Sequence, residues 1–184
     1  MKIYLVTGNP KKVEIAQHAL SAFNIEVDQI EMDTPEIQSA STEEVAKYSV
    51  KYAAEKTQRP VIKGDFGMVI ESLNGFPGPF VKFINKWIPV SQFIKLYSNA
   101  LNDKAYFVDS LGFCRPGEEA VCFTTNTYGK VISSPKGDNG NMVDSIFIPE
   151  GYSKTIAELD KDETLKLWSN DRYTRLAEYL KHNN

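Results

Sequence analysis

Short apolar runs alternate with segments of helical spacing over the first third of the chain. An apolar run bounded by turn formers is typical of a buried strand, whereas apolar residues three and four apart are typical of an amphipathic helix. Pro10 suits the first turn of one predicted helix, and Thr42 is a typical cap for the next. The pattern predicts strands at residues 3–6 and 25–30, helices at 11–23 and 42–56, and an irregular polar segment at 31–41.

The later part of the chain predicts mainly strands, with one interrupted helix before them and one helix at the end. Residues 83–100 carry apolar side chains on both sides of Pro89, which predicts a helix in two pieces. Residues 115–118 contain a Pro-Gly pair typical of a hairpin turn. The other predicted elements are strands at 105–113, 120–128, 130–133 and 146–148, a short helical or irregular piece from Ala157, and a terminal helix at 164–180.

The stretch at residues 61–82 joins an apolar run, an acid within it and a turn-rich loop that ends on a lysine. An acid in a strand-like run is costly to bury without a partner such as a metal ion, and Asp65 occupies such a position. The Gly-Phe-Pro-Gly-Pro segment at 75–79 cannot continue a strand or a helix, because its prolines lack N–H donors. The stretch therefore predicts that Asp65 and Lys82 form the floor of a site for a metal-bound anion.

Composition favours one globular domain over residues 1–184, because no linker-like run divides the chain, which is 42% hydrophobic. The formal net charge of -3 argues against nucleic acid as a partner, since nucleic-acid binders usually carry a basic face. Cys114 and Cys122 make neither a disulfide framework nor a zinc signature. The first apolar run is too short for a signal peptide or a membrane span. We therefore expect a cytoplasmic protein without a membrane partner.

Residues 7–12 follow the first predicted strand and begin the first predicted helix. Gly8 lets backbone amides approach a phosphate, Thr7 and Asn9 can add hydrogen bonds, and Lys12 supplies charge. The alternative is an ordinary strand-to-helix turn with exposed lysines.

Asp33, Glu36 and Asp65 are candidate ligands for Mg²⁺, which prefers oxygen donors and keeps several waters. For Glu36 taken alone, a solvated surface position is the alternative. The loop at 135–144 is long and rich in glycine, which is typical either of a functional loop or of a mobile connection.

Lys166 and Arg172 lie in the first half of the predicted terminal helix, where surface charges are the alternative to a site. Nucleophilic catalysis has little support, because the two histidines, His18 and His182, belong to no recognisable triad pattern.

Taken together, these motifs resemble the inosine triphosphate pyrophosphatase family over essentially the whole chain. The most specific string is Leu-Asn-Gly-Phe-Pro-Gly-Pro-Phe-Val-Lys at 73–82. The other matching segments, in chain order, are Thr7-Gly8-Asn9 with Lys12, Pro35-Glu36-Ile37-Gln38, Asp65 with Gly67, Pro135-Lys136-Gly137, Gly140 with Asp144, Ile146-Phe147, Pro149-Glu150-Gly151-Tyr152, Thr155 with Ala157 and Glu158, and Lys166 with Arg172.

The resemblance implies an α/β fold with a mixed twisted sheet, flanking helices, two lobes around a central cleft, and a homodimer. It implies hydrolysis of a nucleoside triphosphate, such as ITP, dITP or XTP, to a monophosphate and pyrophosphate. Mg²⁺, with Mn²⁺ as an alternative, would bind Glu36 and Asp65. Asp65 and Lys12 would be catalytic, and the implied substrate-binding residues are Thr7, Gly8, Asn9, Lys12, Lys82, Asp144, Lys166 and Arg172.

Several residues depart from the family pattern, mainly at the end that binds the base. Gly64 and Phe66 flank Asp65 where the family has an acid and a hydroxyl. Asn141 and Val143 replace two aromatic residues, and Asp171 replaces a histidine. These changes predict altered base preference. The alternatives are a degenerate relative that binds a nucleotide without hydrolysis and an interaction protein that retains only the fold.

Overall fold

Seven β-strands and six α-helices make up residues 1–183, which are the residues that this computed structural model describes. The strands are β1 (Lys2–Val6), β2 (Glu26–Ile30), β3 (Val61–Ile70), β4 (Pro77–Gly78), β5 (Lys104–Cys114), β6 (Val121–Val131) and β7 (Phe147–Pro149). The helices are α1 (Pro10–Ser21), α2 (Thr42–Thr57), α3 (Val81–Trp87), α4 (Val90–Lys95), α5 (Lys161–Trp168) and α6 (Asp171–His182). Short 3₁₀ turns lie at Glu71–Leu73, Met142–Ser145 and Ile156–Glu158.

The strands form one mixed sheet in the order β2-β1-β3-β5-β6-β7, with β4 paired to β3. β1 runs parallel to β2 and β3, whereas β4 is antiparallel to β3 and β7 is antiparallel to β6. Parallel neighbours need a crossover, and α1 and α2 supply it between β1, β2 and β3. The predicted α/β class with a mixed sheet and flanking helices is confirmed.

The chain divides into two compact units, of which the first comprises residues 1–65, 109–125 and the described residues from 165 onwards. Its core has two clusters. Leu5 and Ile62 belong to a cluster with α1 and α6, while Val6 and Val61 belong to a cluster with α2. Adjacent strand residues point to opposite faces, so helices cover both faces of the sheet in this unit.

The second unit comprises residues 66–108 and 126–164. Its core is rich in aromatic rings. Phe107 stacks on Phe66 with 4.7 Å between ring centroids and contacts Phe147 at 4.5 Å. Phe66, which departs from the family pattern, is therefore a packing residue of this unit. The prediction of one domain over residues 1–184, the last of which lies outside the described part, stays a prediction.

Four predictions about local structure are wrong in informative ways. Ser41, not Thr42, caps α2 by accepting a hydrogen bond from the Glu44 N–H at 3.3 Å. The Thr42 hydroxyl instead pairs with the Ser110 hydroxyl at 2.7 Å in the interior. The segment at 75–79 was not expected to continue a strand, but its residues Pro77–Gly78 pair with β3 through a short antiparallel bridge.

The other two errors concern lengths. The strand predicted at 130–133 is the end of β6, which runs unbroken to Val131. The terminal helix predicted at 164–180 is two helices, because the chain leaves the helical conformation at Asn170, whose ψ is -175°. Lys166 and Arg172 consequently lie on different helices, α5 and α6.

In the described part of the chain, no helix has both the length and the apolar character that crossing a membrane requires.

Candidate active site

The turn between β1 and α1 is shaped by its own side chains. The Thr7 hydroxyl accepts a hydrogen bond from the Asn9 N–H at 3.1 Å. The Asn9 side chain in turn accepts from the Lys11 N–H at 3.0 Å and caps α1. Gln29 donates to the Thr7 carbonyl at 2.8 Å, which ties the turn to β2. Gly8 and Lys12 are exposed on this turn, so the four predicted phosphate-binding residues lie together at a helix N-terminus.

Asp65 and Glu36, the predicted metal ligands, belong to the first unit but have different surroundings. Asp65 lies in the middle of β3, half-buried, with its Oδ2 atom buried. Glu36 is exposed in the irregular segment at 31–41. The Ser49 hydroxyl of α2 donates to the Pro35 carbonyl at 3.2 Å, which anchors this segment beside Glu36.

The donor chemistry of Asp65 and Glu36 fits Mg²⁺, because two carboxylates are enough for an ion that keeps several waters. Within residues 1–183, no group of three or more His, Cys, Asp or Glu side chains is arranged to hold a metal ion. A closed protein cage is thus absent from the described residues, and the metal prediction rests on the carboxylate pair alone.

The start of α6 carries a buried ion pair with β5. Arg172 Nη1 lies 3.5 Å from Asp109 Oδ2, and the two side chains are only 8% and 12% exposed. Burial raises the pKa of Asp109 above its usual range, while the positive charges of Arg172 and then Lys12 act against this shift. Arg172 also lies over the Tyr173 ring at 4.7 Å. The predicted binding residue Arg172 is therefore held in the interior by a carboxylate.

Asp109 is not among the residues predicted from the sequence. The signal that identified Asp65 was available for Asp109 as well, because Asp109 is an acid in a predicted strand that is mainly apolar, with Val108 before it and Leu111 two residues after it.

Exposed polar contacts surround this pair at the N-terminus of α6. Asp171, which replaces the family histidine, forms an ion pair with Arg175 Nε at 3.1 Å and accepts a hydrogen bond from the Thr125 hydroxyl. Arg175 also donates to the Thr125 hydroxyl at 2.9 Å. Asp171 thus fastens α6 to β6. Lys166 lies on α5 and is exposed.

Lys82 and Asp144 belong to the second unit. Lys82 is exposed in the first turn of α3, directly after the rigid loop that contains β4. Asp144 accepts a hydrogen bond from the Asn141 N–H at 2.6 Å, completing a capping box over the 3₁₀ turn Met142–Ser145. At least one oxygen of Asp144 is consequently used to hold the loop at 135–144 in shape.

The loop at 135–144 is also held at its other end and at Val143. The Lys136 N–H donates to the Ser145 carbonyl at 2.9 Å, and the buried Thr155 hydroxyl donates to the Lys136 carbonyl at 2.9 Å. Val143 is 1% exposed, and its N–H donates to the Asn85 side chain at 3.2 Å. Val143 therefore packs in the core and offers no surface for a base.

Comparisons with known proteins identify the family. Residues 3–172 match the model of the Ham1 family. The dITP/XTP pyrophosphatase of Methanopyrus kandleri is 40% identical to this chain over 184 residues, covering 100% of this chain and 98% of that protein. The dITP/XTP pyrophosphatase of Thermococcus kodakarensis is 36% identical over 184 residues, covering 100% and 99%.

A HAM1 protein from Coxiella burnetii has the same fold, with a TM-score of 0.84 at 22% identity and 99% coverage of both chains. This chain belongs to the Ham1 family. The resemblance predicted from the sequence motifs is confirmed, whereas the roles of the individual site residues stay predictions.

Proposed function

We propose that this protein is a Mg²⁺-dependent nucleoside triphosphate pyrophosphatase that acts on noncanonical purine nucleotides such as dITP, ITP and XTP. The observation that supports this most is similarity over the whole chain to relatives named dITP/XTP pyrophosphatase. The products are a nucleoside monophosphate and pyrophosphate.

Binding of the triphosphate uses the turn between β1 and α1. Backbone N–H groups at the start of α1 and the positive end of the helix dipole favour an anion there. Lys12 adds a charge on the exposed side of that turn. Thr7 and Asn9 act mainly through shape, because their side chains already bond the backbone of the turn.

Glu36 and Asp65 are the carboxylates that would hold Mg²⁺, which supplies charge neutralisation on the phosphate oxygens when it is bound. Asp65 also accepts the proton of the attacking water. The water oxygen forms a bond to the α-phosphorus, and the bond from that phosphorus to the bridging oxygen breaks. The bridging oxygen leaves as part of pyrophosphate, and positioning with charge stabilisation supplies most of the catalysis.

Arg172 is the predicted substrate-binding cation that we assign to recognition of the base. A guanidinium only donates hydrogen bonds, so it suits the O6 and N7 acceptors of a 6-oxopurine and not the amino group of adenine. Asn141 and the buried Val143 provide no aromatic surface in the loop at 135–144, so Arg172 carries more of the selectivity than stacking does.

Asp65→Asn tests the catalytic role. The amide cannot take a proton and is a poor metal ligand, so kcat with ITP and Mg²⁺ should fall by about 100-fold or more, in the range that general-base catalysis contributes. Asp103→Asn is the control, because Asp103 is an exposed aspartate of the second unit. An Asp65→Asn variant as active as Asp103→Asn would remove Asp65 from the mechanism.

We further propose a homodimer in the cytoplasm. The family resemblance motivates the dimer, and the absence of a cysteine framework motivates the compartment. Light scattering coupled to size-exclusion chromatography checks the first statement, since a dimer has twice the mass of the 20.7 kDa chain. A monomer at micromolar concentration would contradict it.

A further inference from the structure

The ion pair between Asp109 of β5 and Arg172 of α6 is unusual because both charged side chains are buried. Two ions that are removed from water lose favourable hydration. Their mutual attraction compensates for this loss only if the geometry is good and further hydrogen bonds form. Here the closest atoms, Asp109 Oδ2 and Arg172 Nη1, are 3.5 Å apart. Both atoms are buried, and neither has a hydrogen-bond partner within residues 1–183. The pair is thus held by charge attraction, and both the Asp109 carboxylate and the Arg172 guanidinium can form further hydrogen bonds.

Two more polar groups with the same property precede Arg172 in the chain. The Ser169 hydroxyl and both polar atoms of the Asn170 side chain are buried and have no hydrogen-bond partner in the described part of the chain. Asn170 occupies the N-cap position of α6, yet its side chain makes no capping hydrogen bond. Buried polar groups in native proteins are nearly always satisfied, so a concentration of unsatisfied ones marks a place where a ligand or bound water can supply the missing partners.

Asp109 also lies within electrostatic range of Lys12, a proposed phosphate ligand. The charge of Lys12 on α1, together with that of Arg172, acts on the Asp109 carboxylate. Asp109 therefore interacts electrostatically with a proposed phosphate ligand as well as with the proposed base ligand. It lies on the sheet, on the same strand as Leu111 and Phe113 of the core that packs against α6.

We propose that Asp109 is a positioning residue for base recognition, which fixes the Arg172 guanidinium so that its remaining N–H groups meet the O6 and N7 acceptors of a 6-oxopurine. The inference rests on the proposed function and adds to it a residue outside the predicted site. The ion pair with Asp109 restricts the orientation of the guanidinium. A bidentate contact between its other donors and a base discriminates between bases.

Asp109→Asn should lower selectivity without removing the chemistry. We expect the ratio of kcat/KM for ITP to kcat/KM for ATP to fall by about 10- to 100-fold, the size of one bidentate base contact. Most of the change should appear as a higher KM for ITP. Asp109→Glu keeps the carboxylate and should restore part of the ratio. Glu43→Gln, which removes an exposed ion pair with Lys47 in the same unit, should leave the ratio unchanged.

A purely structural role predicts a different result, namely a lower melting temperature with the ratio unchanged, and that result would overturn the proposal. Because removal of one partner of a buried pair can unfold a protein, Asp109→Leu with Arg172→Met is the second test. An apolar replacement of both partners usually preserves the fold. The double variant should remain folded and have a ratio at least as low as that of Asp109→Asn, and a ratio equal to that of wild type would overturn the proposal.

Failure of the proposed function is distinguishable from failure of this inference. Wild-type protein that releases no pyrophosphate from any nucleotide would refute both. Wild-type protein that is active and prefers ITP, with Asp109→Asn retaining that preference, would refute only the role of Asp109.

Discussion

At the scale of single residues, the polar side chains of the first unit differ in the groups with which they form hydrogen bonds or ion pairs. The side chains of Thr7 and Asn9 accept hydrogen bonds from the backbone of the turn, so substitution of either residue should change the shape of the turn. Lys12 is exposed and contributes charge. Asp109 and Arg172 are buried and compensate each other. Substitutions of Thr7 or Asn9 should therefore alter the geometry of the turn, whereas substitution of Lys12 should lower the affinity for phosphate. Substitutions of Asp109 or Arg172 should affect both folding stability and base selectivity.

Tyr97 provides a prediction about alkaline stability. Burial raises the pKa of Tyr97 to about 12 from its ordinary value of 10.0. Its hydroxyl donates to the Ile132 carbonyl at 2.9 Å. The folded state therefore keeps a proton that the unfolded state releases between these two pH values. By linkage, the stabilisation is complete below pH 10 and is lost as the pH rises through about 12.

Urea unfolding of wild type and Tyr97→Phe at several alkaline pH values measures this effect. Tyr97→Phe should be less stable at neutral pH by about 1 kcal/mol, the value of one hydrogen bond. Its free energy of unfolding should then fall less steeply than that of wild type above pH 10, because it has no phenol to ionise at this position. Parallel curves for the two proteins would contradict the assignment.

Asp65 and Asp109 show how far residues can be predicted from the sequence. Asp65 was predicted because its flanking runs and the loop to Lys82 match a pattern of known chemistry. Asp109 fits the same physical rule, but its partner Arg172 lies 63 positions later, and only folding brings the two side chains together. Local sequence reveals that a buried acid needs a partner and does not reveal which residue that partner is.

At the scale of elements, the loop at 135–144 shows how a segment without regular structure is fixed. Hydrogen bonds hold it at Lys136, Asn141 and Val143, and Gly137 lies against the 3₁₀ turn Ile156–Glu158. A Cβ atom at Gly137 would lie 2.4 Å from the Ala157 carbonyl carbon. These contacts hold the loop against its neighbours in the second unit, and its functional role stays a prediction.

Gly137→Ala tests this close approach, with Gly117→Ala as the matched control. Both glycines have a positive φ, 74° and 77°, but a Cβ atom at Gly117 meets nothing within 4 Å. The control should lose about 1–2 kcal/mol of stability from the left-handed backbone alone. Gly137→Ala should lose about 1–3 kcal/mol more, because a backbone contact must move. Equal losses of unfolding free energy in the two variants, measured by chemical unfolding, would show that the loop accommodates the added methyl group without further destabilisation.

Most elements were predictable from periodicity, and the exceptions have physical causes. The strand predicted at 130–133 was separated from its neighbour at Gly129, yet this glycine lies inside β6. A Cβ atom there would lie 2.3 Å from the Ile148 carbonyl oxygen, so Gly129 allows close pairing with β7. The break between α5 and α6 was missed because apolar spacing continues across Asn170, although this residue type favours helix starts.

At the scale of the whole molecule, the mixed sheet and the Ham1 family membership agree with what the motifs predicted. Of the predicted site residues, the first unit contains Thr7, Gly8, Asn9, Lys12, Glu36, Asp65, Lys166 and Arg172, and the second contains Lys82 and Asp144. The fold could be predicted because long motifs match a family. Base selectivity could not, because Asn141, Val143 and Asp171 replace the residues on which the family pattern depends.

The proposed reaction of this chain is hydrolysis of noncanonical purine triphosphates to a monophosphate and pyrophosphate. The most direct measurement is chromatography of the products from ITP, dITP, XTP, GTP and ATP after incubation with wild-type protein and Mg²⁺. We predict equal amounts of monophosphate and pyrophosphate, with kcat/KM highest for the noncanonical purines. Release of a diphosphate and inorganic phosphate, or nucleotides that are bound but recovered intact, would contradict the claim.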